Sequence, residues 1–183
     1  MRVITGSARG RRLLTLEGED VRPTTDRVKE AVFSIIQFEV EGRAFLDLFA
    51  GSGQMGIEAL SRGAASATFV DNSKKSVETV KKNLKTTCFE NSARVVQTDW
   101  RSFLSMTGER YDIAFLDPPY GTGILQDALV RVADAVKDTG VIIAESPMGE
   151  ELPDACGDFV PHRQYRYGKI KITIFRHKDY CNE

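Results

Sequence analysis

The sequence contains few of the side chains from which metal centres and disulfide frameworks are built. Its 183 residues include three cysteines, far apart at Cys88, Cys156 and Cys181, and two histidines, His162 and His177. An odd number of widely spaced cysteines matches neither a disulfide framework nor a zinc-binding pattern. We therefore expect no metal site and a reducing, cytoplasmic setting.

Long apolar runs are missing as well. No run approaches the ~20 residues of a membrane-spanning helix, and the first twelve residues, MRVITGSARGRR, lack the apolar core of a secretory signal. The composition, 42% hydrophobic and 28% charged, is typical of a globular chain. We expect one domain over residues 1–183, with residues 1–22 as a basic N-terminal arm or hairpin, and no association with membranes.

The net charge of −1 hides an uneven distribution of charge. Residues 101–159 are rich in acids, whereas residues 1–12 and 161–178 contain no acid and many bases. The bases of these two segments are Arg2, Arg9, Arg11, Arg12, Arg163, Arg166, Lys169, Lys171, Arg176 and Lys178. Such segregation indicates a basic surface for an anionic partner, of which nucleic acid is the obvious candidate. Charge that only keeps exposed strands soluble would explain the pattern equally well.

Buried strands alternate with amphipathic helices along most of the chain. Strands are predicted at 44–49, 65–70, 93–97, 111–116 and 140–145, and helices at 25–38, from the glycine-rich segment to about residue 62, and at 73–84, 100–104 and 124–137. Continuous apolar strands between such helices predict an α/β fold with a parallel sheet covered by helices on both faces. Residues 169–176, KIKITIFR, instead alternate polar and apolar side chains, which predicts an antiparallel strand paired with residues 162–167.

A glycine-rich segment, DLFAGSGQMG at residues 47–56, lies between the first strand and the helix after it. Gly51, Gly53 and Gly56 match the pattern G-x-G-x-x-G, and Asp71 follows Gly51 by 20 residues at the end of the next strand. Such a loop lets a ligand approach the backbone, and the acid can accept hydrogen bonds from both ribose hydroxyls. A nucleoside cofactor explains this constellation better than glycines needed only for packing.

Asp47 indicates which nucleoside cofactor this is. A carboxylate just before the loop is awkward beside the pyrophosphate of NAD, but it suits the ammonium group of S-adenosylmethionine, which carries no phosphate. Asp99 would accept a hydrogen bond from the adenine amino group, and Trp100 either packs nearby or belongs to the core. The predicted cofactor-binding residues are Asp47, Phe49, Ala50, Gly51, Ser52, Gly53, Asp71, Asn72, Asp99 and Trp100.

The segment Asp117, Pro118, Pro119, Tyr120 (DPPY) follows a buried strand and is stiff, because two prolines fix two φ angles and remove two donors. Asp117 and the Pro118 carbonyl can accept hydrogen bonds from an amino group on a flat ring, and Tyr120 can stack on that ring for ~1–3 kcal/mol. Holding the nitrogen in line with the departing sulfur is catalysis by positioning, and Asp117 can help to take the released proton. We call these four predicted catalytic residues the clamp.

Ligands of parallel sheets bind at the carboxyl ends of the strands, so we expect the clamp and the glycine-rich loop to face one crevice. A base within a duplex would first have to be flipped out. Taken alone, the four residues could simply form a rigid turn. The glycine-rich loop at the matching position earlier in the chain makes that alternative less convincing.

The chain resembles the class I S-adenosylmethionine-dependent methyltransferases that act on amino nitrogens. More narrowly, it is similar to the RsmD-type bacterial 16S ribosomal RNA (guanine-N2) methyltransferases. The resemblance covers nearly the whole chain and rests on GSARGRRL, RPTTDRVKEAVF, DLFAGSGQMGIEALSRGA and LDPPY. The last two stretches are shared by many amino methyltransferases, whereas the first two are more specific to this family.

The resemblance implies methylation of guanine N2 in the 16S RNA of an assembled or partly assembled 30S subunit, by a protein that we expect to be a monomer. It also implies a Rossmann-like, mostly parallel seven-stranded sheet with an antiparallel last strand. RNA phosphates would contact the arm, and the RPTTDR segment would shape the target pocket or close over the cofactor. The residues implied in substrate binding are Arg9, Arg11, Arg12, Arg22, Thr24, Thr25 and Arg27, with a helix cap as the simpler role of residues 24–26.

Three alternatives remain open at the level of sequence. The first is methylation of adenine N6 in DNA or of glutamine in a protein by the same clamp. The second is an NAD-dependent oxidoreductase, which offers no use for DPPY. The third is a non-catalytic RNA-binding assembly factor, which would tolerate the loss of Asp117.

Overall fold

The computed structural model of the chain describes residues 1–16 and 26–182. The chain divides into two compact units, Met1–Asp99 and Trp100–Glu183. The predicted helix start at Thr25, together with Arg22 and Thr24, lies outside the described residues.

Among the described residues, five α-helices and seven strands form the regular structure. Helices α1 to α5 are Asp26–Ile35, Gln54–Ser61, Lys74–Thr87, Trp100–Met106 and Ile124–Val132; strands β1 to β7 are Ala44–Asp47, Ser66–Asp71, Ala93–Gln97, Tyr111–Leu116, Val136–Pro147, Phe159–Tyr167 and Ile170–His177. The strands belong to one sheet in the order β3-β2-β1-β4-β5-β7-β6. Because β7 is antiparallel to β5 and β6 while the other described pairs are parallel, the predicted fold class is confirmed.

In unit 1, β2 pairs in parallel with β1 and β3, so the ends of these strands lie side by side. Asp47 is opposite Phe69, and Asp71 is opposite Gln97. The ring of Phe33 on α1 stacks on that of Phe45 on β1 at 6.2 Å between centroids. This apolar core holds the strand ends, and therefore the loops that follow them, at defined positions.

The first thirteen residues fold back on themselves and pack against the rest of unit 1. Arg2 and Arg12 form an antiparallel bridge. The buried Glu58 carboxylate accepts hydrogen bonds from the backbone nitrogens of Ile4 and Thr5 at 2.8 and 3.0 Å. Hydrogen bonds to a charged acceptor are stronger than those between neutral groups, so this carboxylate on α2 helps to hold the start of the arm.

In unit 2, the register of the strands is continuous from β4 to β6. Leu116 of β4 pairs with Ala144 of β5, and the next residue of β5, Glu145, pairs with Ile172 of β7. Ile172 in turn pairs with Tyr165 of β6. The end of β4, where the clamp begins, is therefore level with the part of β6 that precedes its turn into β7.

The predicted helix 124–137 was too long. It ends at Val132, a 3-10 turn covers Ala133–Ala135, and β5 begins at Val136. Val136 lies four residues after Val132, which is the spacing of one helix face, so periodicity could not detect the change. The residue is fully buried and pairs with Tyr111, which shows that strand pairing overrode the local pattern.

No helix in the described ranges has both the length and the apolar character needed to cross a membrane.

Gly56 is expected to be essential for the close approach of α2 to β2. A Cβ atom at this position would lie 2.3 Å from Cε1 of the fully buried Phe69 ring. Overpacking typically costs ~1–3 kcal/mol and should exceed the ~1 kcal/mol that alanine gains in a helix. We therefore predict that Gly56→Ala lowers the midpoint of urea unfolding. Gly108→Ala, where nothing lies within 4 Å, is the control, and equal midpoints for the two variants would contradict the prediction.

Candidate functional site

The glycine-rich loop after β1 is a tight turn that depends on left-handed backbone conformations. Gly51 has φ 53° and Gly53 has φ 78°, and the Gly53 nitrogen donates to the Ala50 carbonyl at 2.7 Å. Residues other than glycine rarely adopt these left-handed backbone conformations. The turn ends where α2 begins, so the loop leads directly into the start of a helix.

Asp71, at the end of β2, holds this loop in place. Its Oδ2 accepts a hydrogen bond from the Gly51 nitrogen at 2.9 Å, and its Oδ1 accepts one from the Ser73 nitrogen at 2.8 Å. Each carboxylate oxygen retains a second lone pair. Asp71 is therefore a structural brace for the loop and is still able to accept hydrogen bonds from ribose hydroxyls.

Asp47, at the end of β1, is a buried carboxylic acid. Only 2% of the residue is exposed, and its Oδ2 accepts a hydrogen bond from the Gly56 nitrogen at 3.1 Å. Burial raises the pKa of Asp47 to about 7, the charge of Asp71 adds to the rise, and the Gly56 hydrogen bond opposes it. A cation placed beside Asp47 would compensate for this cost of burying charge, so the environment fits the predicted partner, an ammonium group.

The other predicted cofactor residues differ in exposure. Ala50, Ser52 and Gly53 are buried, Phe49, Gly51 and Asp99 are half-buried, and Asn72 is exposed. Trp100 begins α4 in unit 2, is buried, and has the Arg101 guanidinium 4.4 Å above its ring centroid. Its burial fits a core role, and its predicted role beside adenine stays a prediction.

The clamp follows β4 in unit 2. Asp117 and Tyr120 are half-buried, Pro118 is buried, and Pro119 is exposed. The Thr122 hydroxyl donates to the Pro119 carbonyl at 2.8 Å, so that carbonyl has a partner within the turn. Asp117 and the Pro118 carbonyl are the predicted acceptors for a target amine. Both precede the Pro119 carbonyl in the chain. The common crevice expected for the clamp and the glycine-rich loop stays a prediction.

Glu145 is a residue of the candidate site that the sequence analysis did not identify. Only 2% of the residue is exposed, and its Oε1 accepts a hydrogen bond from the Tyr120 hydroxyl at 2.9 Å. This bond fixes the polar end of the tyrosine and so limits the orientations of its ring. A signal was present, because Glu145 is an acid at the end of the strand predicted at 140–145, but its partner 25 residues away could not be read from the sequence.

The predicted substrate residues are only partly described. Arg9, Arg11, Arg12 and Arg27 are exposed. One of them also has a structural role, because Arg11 donates to the backbone oxygen of Thr86 at 2.7 Å, near the end of α3. Arg22, Thr24 and Thr25 lie outside the described residues.

Asn83 is a second residue that the sequence analysis missed. Its side chain is fully buried and donates to the backbone oxygens of Leu14 and Ser52, at 3.0 and 2.9 Å, while it accepts from the Leu14 nitrogen at 2.7 Å. Asn83 thus connects the basic arm to the glycine-rich loop. No sequence motif marks it, since an asparagine on an amphipathic helix looks like any other polar residue.

Comparisons with known proteins match the chain over almost its whole length. A family model described as "Conserved hypothetical protein 95" matches residues 1–176. A protein of Bacillus subtilis (strain 168) named as a candidate rRNA methyltransferase, YlbH, is 41% identical over 96% of this chain and 98% of its own. Ribosomal RNA small subunit methyltransferase D of Escherichia coli (strain K12) is 35% identical over 96% and 89%. The solved structure of a candidate methyltransferase of Escherichia coli, yhhF, has a TM-score of 0.84 at 34% identity, with 97% of both chains covered.

The raised pKa of Asp47 predicts a specific dependence of stability on pH. The folded state retains a proton up to about pH 7 that the unfolded chain releases near pH 3.8. The free energy of unfolding should therefore fall, through this group, as pH rises from about 4 to 7. Asp47→Asn keeps an acceptor for Gly56 and removes the titration. We expect the wild type to lose stability relative to this variant over that window.

The measurement is urea unfolding of both proteins at several pH values, with Asp154→Asn, which changes an exposed carboxylate, as control. A wild-type minus Asp47→Asn difference that does not change with pH would mean that Asp47 is not the group that titrates.

Proposed function

Because this chain belongs to the family described as conserved hypothetical protein 95, whose relatives include ribosomal RNA small subunit methyltransferases, we propose that it methylates ribosomal RNA. In its specific form, the proposal is transfer of a methyl group from S-adenosylmethionine to the exocyclic N2 amino group of a guanine in 16S RNA. The substrate is the RNA of an assembled or partly assembled 30S subunit.

The observation that carries the proposal is the extent of the likeness. It includes 96% of the chain at 35% identity to the Escherichia coli enzyme, so it reaches both the basic arm and the clamp. A likeness limited to the glycine-rich loop would support only a nucleoside cofactor.

Unit 1 provides residues that suit the methyl donor. S-adenosylmethionine supplies an electrophilic methyl group on a sulfonium and also carries an ammonium. The Asp47 carboxylate is buried and has a raised pKa, which favours a cationic neighbour. Asp71 braces the loop through Gly51 and can accept from ribose hydroxyls. The proposal assigns the adenine amino group to Asp99.

Unit 2 provides residues that suit the target amine. Asp117 and the Pro118 carbonyl accept the two hydrogens of the guanine amino group, and Tyr120, anchored on Glu145, stacks against the base. The nitrogen forms a bond to the methyl carbon as the carbon–sulfur bond breaks, and one proton leaves the nitrogen. Asp117 assists that proton loss, so its roles are orientation of the amine and acceptance of the proton.

A methyl-transfer assay with labelled donor tests the function and the clamp together. We expect label in N2-methylguanosine when undermethylated 30S subunits are the substrate, and none in DNA or in a release-factor protein. Asp117→Ala should lower kcat at least 100-fold, on the order of a lost general base and positioning group, and leave donor binding largely intact.

Asp127→Ala, at an exposed acid on α5, is the matched control. Label in DNA or protein would mean that the enzyme methylates another amino substrate. Near-normal turnover by Asp117→Ala would show that the clamp has no role in catalysis. Donor binding without any transfer would favour a non-catalytic assembly factor.

Binding of the cofactor should depend on pH through Asp47. Because the cation needs the carboxylate, binding below about pH 7 must release a proton, and the affinity should rise up to tenfold per pH unit as pH approaches that value. Calorimetry with S-adenosylhomocysteine, which retains the ammonium group, in two buffers of different ionisation enthalpy measures the released proton. Asp47→Asn should bind more weakly and with no proton release. Identical proton release in the variant would assign the pH dependence to another group.

A further inference from the structure

The basic residues of the C-terminal segment have different structural roles. Arg176 is buried. The Lys178 ammonium lies 2.8 Å from the Asp158 carboxylate, and the Lys171 ammonium donates to the backbone oxygen of Glu150 at 2.8 Å. These three residues are therefore committed to contacts within unit 2.

The other three bases, Arg163, Arg166 and Lys169, are exposed on β6 and on the turn that follows it. None of them forms an ion pair with another residue of the described ranges. Tyr165 and Tyr167 alternate with them and are half-buried. Because β6 is the last strand in the sheet order, it presents a row of cations and aromatic rings at an edge.

The strand register relates this row to the clamp. Glu145 pairs with Ile172, and Ile172 pairs with Tyr165. Side chains of directly opposed residues in antiparallel strands lie on the same face of the sheet. Tyr165 therefore lies on the face that carries Glu145, the residue whose carboxylate holds the Tyr120 hydroxyl.

Alternation along β6 puts Arg163 and Tyr167 on this same face, since both are two residues from Tyr165. The clamp follows β4, which is three strand spacings from β6 in the sheet order, roughly 14 Å. A nucleic acid strand held at the clamp would need to extend only this far to meet the rings and cations of β6.

We propose that Arg163, Tyr165, Tyr167 and Lys169, the hairpin surface, bind the RNA strand that flanks the target nucleotide. The inference rests on the proposed RNA substrate. Arg163 and Lys169 neutralise phosphates, and the tyrosines stack on unpaired bases, which is the usual combination for single-stranded nucleic acid. Arg166 is one residue from Tyr165 and lies on the opposite face of the sheet, so it is not part of this surface. Cations on an edge strand also discourage strand-to-strand aggregation, so the experiment must separate the two roles.

The variant Arg163→Gln/Lys169→Gln tests the phosphate contacts. The matched control, Lys81→Gln/Lys82→Gln, removes the same number of exposed positive charges from α3. The readout is the affinity for undermethylated 16S RNA as a function of salt. We expect the slope of log K against log[salt] to fall by roughly 1.4 in the hairpin variant, about 0.7 per lost single-strand contact, and to stay unchanged in the control.

A second pair of variants tests stacking without a change in charge. Tyr165→Ala should weaken RNA binding by about 5-fold or more, the effect of losing one stacked base, and Tyr165→Phe should restore it. In the methyl-transfer assay the hairpin variants should raise KM for RNA with little change in kcat, because the surface is distant from the transferred methyl group.

The hairpin surface would be rejected if its variants aggregated yet bound RNA with unchanged affinity and salt slope, or if the α3 control lost as much. Failure of the proposed enzyme function looks different. If the wild-type protein binds RNA through the hairpin surface but transfers no methyl group, the proposed methyltransferase function is wrong and the proposed RNA-binding surface is still supported.

Discussion

The hydrogen bond from the Gly51 nitrogen to the Asp71 carboxylate is the interaction on which much of unit 1 depends. It ties the glycine-rich loop to the end of the next strand, and the loop in turn supports the start of α2. The carbonyl of Ser52, the next residue, accepts from Asn83, which also binds Leu14 in the arm. A chain of polar contacts therefore runs from the strand end through the loop to the arm.

Buried charge has a second structural role in the arm. The Glu58 carboxylate accepts from two backbone nitrogens of the arm and from the Arg62 guanidinium at 2.9 Å. The fully buried Lys29 donates to the Arg2 carbonyl at 2.7 Å, and burial lowers its pKa. Charged groups are rarely buried unless they gain such partners. The cost of burying them is offset because they form hydrogen bonds with the backbone of the arm.

Carboxylates recur at or near the carboxyl ends of three strands, and their environments differ in a way that suits different tasks. Asp47 is buried and holds its proton to about pH 7, Asp71 is engaged by backbone nitrogens, and Glu145 is buried against a tyrosine hydroxyl. Carboxylates near the carboxyl ends of strands can thus serve as a counter-ion, a brace or an anchor, depending on the groups beside them.

The sequence by itself determined the alternation of strands and helices, the antiparallel last strand and the positions of the glycine-rich loop and DPPY. These features depend on local periodicity, on glycine and on proline, which act over a few residues. Only the tertiary structure decided that α5 ends at Val132, that Glu145 holds Tyr120, and that Asn83 joins the arm to the loop. It also separated the exposed Arg163, Arg166 and Lys169 from the buried or paired bases of the same segment. Such choices depend on partners distant in sequence, and local patterns carry no information about which distant groups will meet.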